Sequence, residues 1–397
     1  LARAHEDWLF GINGTRYLSL KSGVFLPWGR CKYIITKAIV DRERAIANFV
    51  PVDYFAVVSK TNVKGYDIEL TSKKTFDKDS SSDAAALASK YNTTGAKVTS
   101  VKKDRVTVNP GRQFSTTELQ AFVSSHYKGT DPKEIEASLE ELYQSGYTTY
   151  PRTNSSFLTA SDEHDVDLAI NALKRAGFQN IINKPKKKSI YDDSKVDGHS
   201  ALTPTSNVPD ISKLSPAQRI TYECIRNRFL AVFCSEDCLA DKTVITIRCD
   251  DEDFQLTGTI NVAKGWLQYE PFGQKDKEVP PLNDGESVPV DFKPVKKQTA
   301  PPKRFTVASF GAWCNAPWRN EDDSEKTDYT DEEWKRILHE ATICTDATRT
   351  PTITECRNVG YIKLSKGTYS PDTKGYQFVD ACEKLGLTFT VKEVMDL

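Results

Sequence analysis

Hydrophobic spacing switches between a helical and a strand repeat four times along the 397 residues, nearly symmetrically about the middle. Trp8, Leu9 and Ile12, then Ile34, Ile35, Ala38 and Ile39, predict helices over residues 1–45. Alternating runs such as Phe55-Ala56-Val57-Val58 and Val98-Thr99-Ser100-Val101 predict strands from about 51 to 110. Helix starts follow at Ser115-Thr116-Thr117-Glu118, a capping box, and at Asp131-Pro132-Lys133-Glu134, with an N-cap, a proline at N1 and a glutamate at N3. Another helix is expected over residues 216–233, strands over 243–248 and 254–262, and mainly helix from Val307 onward, apart from 361–369. Such an order fits an α+β multidomain chain that leaves a helical region through a β segment, builds a distal domain and returns.

Ile135, Leu139, Leu142 and Tyr143 continue the second capped helix at helical spacing, and Gly146 is a natural stop. Directly after it comes Tyr147-Thr148-Thr149-Tyr150-Pro151-Arg152-Thr153. In an extended segment positions i and i+2 face the same way, so Tyr150 and Arg152 would address one site. A phenol has a pKa near 10, so attack on a phosphodiester needs neighbouring positive charge or a base. Arginine meets that need because its planar fork holds two phosphate oxygens and keeps its charge. The bland alternatives are a packing tyrosine and a surface ion pair.

Five blocks carry a resemblance. They are Ala2-Arg3-Ala4-His5-Glu6-Asp7-Trp8-Leu9 with Gly11-Ile12-Asn13; Trp28-Gly29-Arg30-Cys31-Lys32 with Asp41-Arg42-Glu43-Arg44; Leu142 to Thr153; Ser194-Lys195-Val196-Asp197-Gly198-His199 to Thr205; and Thr345-Asp346-Ala347-Thr348-Arg349 with Val359-Gly360-Tyr361-Ile362. In residues and in order they resemble the type IA DNA topoisomerases, most closely the topoisomerase III branch. Departures exist: Lys32 stands where the family usually has glutamine, Asn154 where aspartate is common, and Cys344 and Asp346 where glycine and proline are usual.

The resemblance implies a toroid with a helical base at 1–50 and 301–397, a discontinuous β arch at 51–110 and 240–300, and a central tyrosine-bearing domain at 111–239. It implies an ATP-independent isomerase that cleaves and rejoins single-stranded DNA through a 5′-phosphotyrosyl intermediate with strand passage. Tyr150 takes the nucleophile's position, with Arg152 and His199 as catalytic partners. Arg3, Asp7, Arg30, Lys32, Lys195, Thr345 and Arg349 take DNA-binding positions. For Arg3 and Asp7 a helix-surface ion pair is an equal alternative. Trp8 and Trp28 either stack bases or fill core, with core preferred. The family's Mg2+ belongs to a Toprim domain, and no metal ligand is expected within this chain. Leu1 already stands inside the segment that follows that domain, so an excised, inactive fragment is expected. A non-catalytic single-strand-binding scaffold is the alternative, motivated by Lys32, Asn154 and Asp346; a relaxase or recombinase is a weaker third, lacking a matching histidine or arginine set.

Net charge is −1, which weighs against a generally basic surface but leaves room for a local basic groove. Lys184-Pro185-Lys186-Lys187-Lys188 is either such a patch or a solvated loop, and the acidic run 321–333 offsets basic charge elsewhere. No apolar run approaches the ~18 residues of a membrane span. The nine cysteines show no Cys-x-x-Cys pairing, so reduced thiols are expected rather than zinc ribbons or disulfides. A monomer in the bacterial cytoplasm, associated with nucleoid or plasmid, is the expected setting.

Overall fold

The computed structural model describes residues 2–270, 272–317, 330–340, 342–344 and 346–389. Thr345, most of the acidic run at 321–333, and the side chains of Arg3 and Asp7 lie outside the described residues.

The chain begins with helices α1 (Ala2–Ser22) and α2 (Arg30–Ala47). A β segment follows: β1 (Asp53–Val63), β2 (Tyr66–Asp77), helix α3 (Ser81–Thr94) and β3 (Ala96–Thr107). Next come α4 (Thr116–His126), α5 (Pro132–Gln144), α6 (Glu163–Arg175) and α7 (Pro216–Val232). The second β segment holds β4 (Leu239–Cys249), β5 (Glu252–Ala263), β6 (Ser287–Val288) and β7 (Phe292–Gln298). The last part holds α8 (Val307–Asn315), α9 (Asp331–Glu340), α10 (Asp346–Val359), β8 (Ile362–Ser365), β9 (Thr368–Pro371) and α11 (Thr373–Leu385).

These elements form two compact units. The first joins residues 1–48, 112–233 and 302–397; the second joins 49–111 and 234–301. In the second unit β2-β1-β7 form one antiparallel sheet and β5-β4-β3-β6 another. Val57, Leu70, Tyr91, Ile245, Phe254 and Phe292 share its core. Glu252 of β5 is buried there, and its carboxylate accepts from Ser72 Oγ (2.7 Å), Lys73 N–H (2.6 Å) and Tyr91 Oη (2.6 Å). Burial alone would raise its pKa, but these three donors hold it below the ordinary carboxylate value. Helix α3 is a departure from the strands expected throughout 51–110. Its inward face is Ala84, Ala88 and Tyr91, one turn apart, too small a stripe to register as helical hydrophobicity.

In the first unit, Tyr33, Ile35, Phe310, Tyr361 and Phe378 belong to one core, with Tyr361 stacked on Phe378 at 4.2 Å. A second cluster of Phe114, Leu119, Val123, Ile135, Leu139 and Leu202 lies under α4 and α5. The two tryptophans expected in core part company: Trp28 is 5% exposed and Trp8 64%. Trp8 sits on α1 beside exposed Leu9 and Phe10.

Helices α5, α4 and α10 meet through polar contacts. Arg357 grips Asp131 with two parallel bonds, Nη1–Oδ1 at 2.9 Å and Nη2–Oδ2 at 2.6 Å. Gln120 and Thr350 hydrogen-bond side chain to side chain at 3.1 Å, with both residues buried. No described helix is long and apolar enough to cross a membrane. Of the Lys184–Lys188 run, Lys184 Nζ reaches Val232 O at 3.3 Å, while Lys186, Lys187 and Lys188 are exposed.

Candidate active site

Both capping boxes form as the sequence predicts. Ser115 and Glu118 close the start of α4, and Asp131 and Glu134, with Pro132 at the first turn, close the start of α5. At the far end of α5, Gly146 takes φ +73°, a left-handed value that suits glycine. The Tyr147 N–H then donates to Leu142 O (2.9 Å) and the Gly146 N–H to Tyr143 O (2.8 Å), the paired bonds of a Schellman stop. The chain therefore leaves α5 in a fixed direction, straight into the Tyr150 segment.

That segment is tied on two sides. Toward the histidine block, Thr149 N–H donates to Thr203 O (3.0 Å), and Thr203 N–H donates back to Thr149 Oγ1 (3.0 Å). Thr205 N–H donates to Tyr147 O (3.1 Å), and Thr153 Oγ1 donates to His199 O (2.7 Å). Toward α4, buried Thr116 donates its hydroxyl to Pro151 O (2.6 Å), accepts from Thr153 N–H (3.0 Å) and gives its own N–H to Thr153 O (3.0 Å). One threonine thus clamps the backbone on both sides of Arg152. Thr116→Val keeps the shape but strands a buried carbonyl and a buried N–H, an expected loss of about 2 kcal/mol. Thermal unfolding should show a midpoint several degrees lower for Thr116→Val and nearly unchanged for Thr116→Ser; an unchanged valine variant would refute the clamp.

Tyr150 is half-buried between two rings. His199 lies over it with centroids 4.1 Å apart and planes 33° off parallel. Tyr143 meets it edge-on at 5.5 Å and 89°. Tyr143 shares α5 with buried Ile135, Leu139 and Leu142 but is itself 39% exposed, turned to the site rather than the core. Arg152 is exposed, with Nη2 3.8 Å from Glu140 Oε2. Glu136, one turn before Glu140, is half-buried, and burial raises its pKa against the opposing charge of Arg152. This acidic face of α5 was not singled out from sequence; its only signal was two glutamates four apart on the face that also carries Tyr143. Lys195 is exposed, and its carbonyl accepts from Ser155 Oγ at 3.0 Å.

Three further residues expected at DNA-binding positions are Arg349, Lys32 and Arg30. Arg349 is 4% exposed. Its guanidinium donates to Thr117 Oγ1 (2.8 Å), Ile343 O (3.5 Å) and Cys344 O (3.5 Å), so it satisfies buried carbonyls instead of facing solvent. Lys32 Nζ pairs with Glu355 Oε1 at 2.5 Å, which leaves its charge neutralised in place. Arg30 is half-buried at the first turn of α2. Among the described residues, no group of three or more His, Cys, Asp or Glu is placed to hold a metal ion.

A phenol and an imidazole held ring to ring, with an accessible guanidinium two residues on, form a site suited to a phosphodiester. Comparison with known proteins finds DNA topoisomerases. DNA topoisomerase 3 of Shouchella clausii is 28% identical over 380 residues, covering 91% of this chain and 50% of its own length. DNA topoisomerase 3 of Bacillus licheniformis is 30% identical over 324 residues, covering 77% and 44%. This chain thus spans about half the length of these curated relatives. The solved structure of full-length topoisomerase I from Thermotoga maritima superposes with a TM-score of 0.70 at 22% identity, over 98% of this chain and 61% of that one. With the family model for DNA topoisomerase matching residues 1–394, the chain belongs to the type IA DNA topoisomerases.

Proposed function

We propose that this chain is the strand-cleaving core of a topoisomerase III-like enzyme acting on single-stranded DNA as a monomer. The observation that carries the reading is the Tyr150 ring under His199, on a backbone bonded to both α4 and the histidine block. In the proposed reaction Tyr150 Oη attacks phosphorus, an Oη–P bond forms and the P–O3′ bond breaks. The phenol loses its proton, the leaving 3′ oxygen gains one, and a 5′-phosphotyrosyl link remains. Arg152 would stabilise the crowded phosphate, drawn away from Glu140 by the stronger charge of the ligand. His199 would contact a phosphate oxygen or move a proton, since an imidazole can donate a hydrogen bond and transfer a proton. Another strand then passes, and the 3′ hydroxyl reverses the step. One phosphoester replaces another, so no ATP is needed. The Mg2+ of the family would be bound outside this chain, by a Toprim domain, and the setting would be DNA in the bacterial cytoplasm.

The purified 397-residue chain alone is expected to bind single strands weakly and to relax no plasmid. Fluorescence anisotropy with a labelled oligonucleotide and a gel assay on supercoiled plasmid test this. Relaxation by the chain alone would overturn the dependence on another domain, and absence of single-strand binding would overturn the reading as a whole.

A further inference from the structure

Four described non-glycine residues have positive φ: Lys64, Asp250, Cys344 and Lys366. Three of them occupy the tight turns β1–β2, β4–β5 and β8–β9, where such values are expected. Cys344, at φ +62°, lies in no hairpin. A side chain there costs about 1 kcal/mol relative to glycine, so the cysteine sits where backbone geometry alone would not place it.

Its thiol is half-buried against the first unit's core and shares a hydrogen bond with the thiol of Cys31. Cys31 is the second residue of α2 and is also half-buried. The helices around the pair are held in register by Lys32–Glu355 at 2.5 Å and by Thr36 Oγ1 to Cys356 Sγ at 3.9 Å. The Cys344 side is anchored by Ile343 N–H to Cys314 O (2.8 Å) and by Arg349 on the carbonyls of Ile343 and Cys344. Neither cysteine is disulfide-bonded in the structure.

We infer that Cys31 and Cys344 are a thiol–disulfide modification site, oxidised by a low-molecular-weight disulfide such as oxidised glutathione. The Cys31 thiolate attacks one sulfur of the small disulfide, forming a mixed disulfide and releasing one thiolate, which takes up a proton. Cys344 then loses its proton and displaces the second small thiol. Two protein thiols and one disulfide give one protein disulfide and two small thiols, so electrons and protons balance. Cys31 goes first because it stands in the first turn of α2, where the helix N-terminus favours a thiolate, whereas Cys344 lies against the core. The link joins the start of α2 to the segment before α10, near opposite ends of the chain, so it restrains the unfolded state over a long loop.

The test treats the purified chain with oxidised glutathione, blocks remaining thiols with N-ethylmaleimide and maps cross-linked peptides by mass spectrometry. The expected result is a dominant Cys31–Cys344 peptide, reversed by dithiothreitol, with a thermal midpoint raised by about 5 °C. Cys344→Gly suits the left-handed backbone, so it should fold as well as the parent, lose the link and keep a stable glutathione adduct on Cys31. Persistent glutathione adducts in the parent chain, a dominant link between other cysteines, or a Cys344→Gly chain with no adduct on Cys31 would overturn the inference.

Discussion

Tyr150→Phe is expected to abolish covalent capture of DNA, by at least about a thousandfold, in a protein that joins this chain to a Toprim domain. The substitution removes only the oxygen that forms the bond to phosphorus. The phenyl ring still fits under His199 and against the edge of Tyr143, so fold and single-strand affinity should stay within about twofold. An oligonucleotide labelled at its 3′ end reads this directly, because a 5′-phosphotyrosyl link retains the labelled fragment after denaturation. Capture by the phenylalanine variant would remove Tyr150 from its role. Capture of a 5′-labelled fragment instead would point to the opposite polarity and another class of enzyme. A parent protein that binds single strands but never captures them would support a non-catalytic scaffold. Arg152→Ala should leave the nucleophile in place yet slow capture about a hundredfold, since it removes charge that acts on the crowded phosphate.

The second large effect is expected at Asp131. This residue caps α5 by accepting from Lys133 N–H (3.0 Å) and also receives both prongs of Arg357. Burial would raise its pKa, but Arg357 and the Lys133 N–H outweigh that and hold it below the ordinary carboxylate value. Asp131→Ala loses the cap and leaves a half-buried guanidinium without its acid, a combined cost of about 2–3 kcal/mol. The sign of the pH dependence follows from the depressed pKa. Stability from this carboxylate is fully present above its unfolded pKa near 4 and disappears as pH falls through the lower folded value. Urea unfolding of the wild type and Asp131→Asn should therefore differ clearly at pH 7 and converge toward pH 3. A gap that persists undiminished at pH 3 would show that the charge is not what Asp131 contributes.

Local chemistry made the helix ends readable: both capping boxes and the Gly146 stop depend on residues within a few positions of one another. The alternation of helical and strand segments was equally legible, because it rests on spacing alone. What escaped depends on distant partners. Trp8 and Trp28 carry the same side chain, yet one is 64% exposed and the other 5%, a difference set by what packs on each. Arg349 is buried partly through its bond to Thr117, 232 residues away, which no local pattern announces. The threonine bonds that join the Tyr150 and His199 blocks have no periodicity, since an extended polar segment reads the same whether paired or solvated. Their juxtaposition was foreseen only through resemblance.

The first unit draws its core from residues synthesised at opposite ends of the chain, with Tyr33 packed edge-on against Phe378 at 6.4 Å. During translation the apolar side of α2 emerges early and its partners only after some 250 further residues, a wait of roughly 10–60 s at ordinary elongation rates. For that interval Tyr33, Ile35 and Ile39 have no native neighbour from the C-terminal part of their core. A chain built this way leaves that apolar side uncovered until α8 to α11 are made, and a premature stop codon before α8 leaves the first helices without their late-synthesised core.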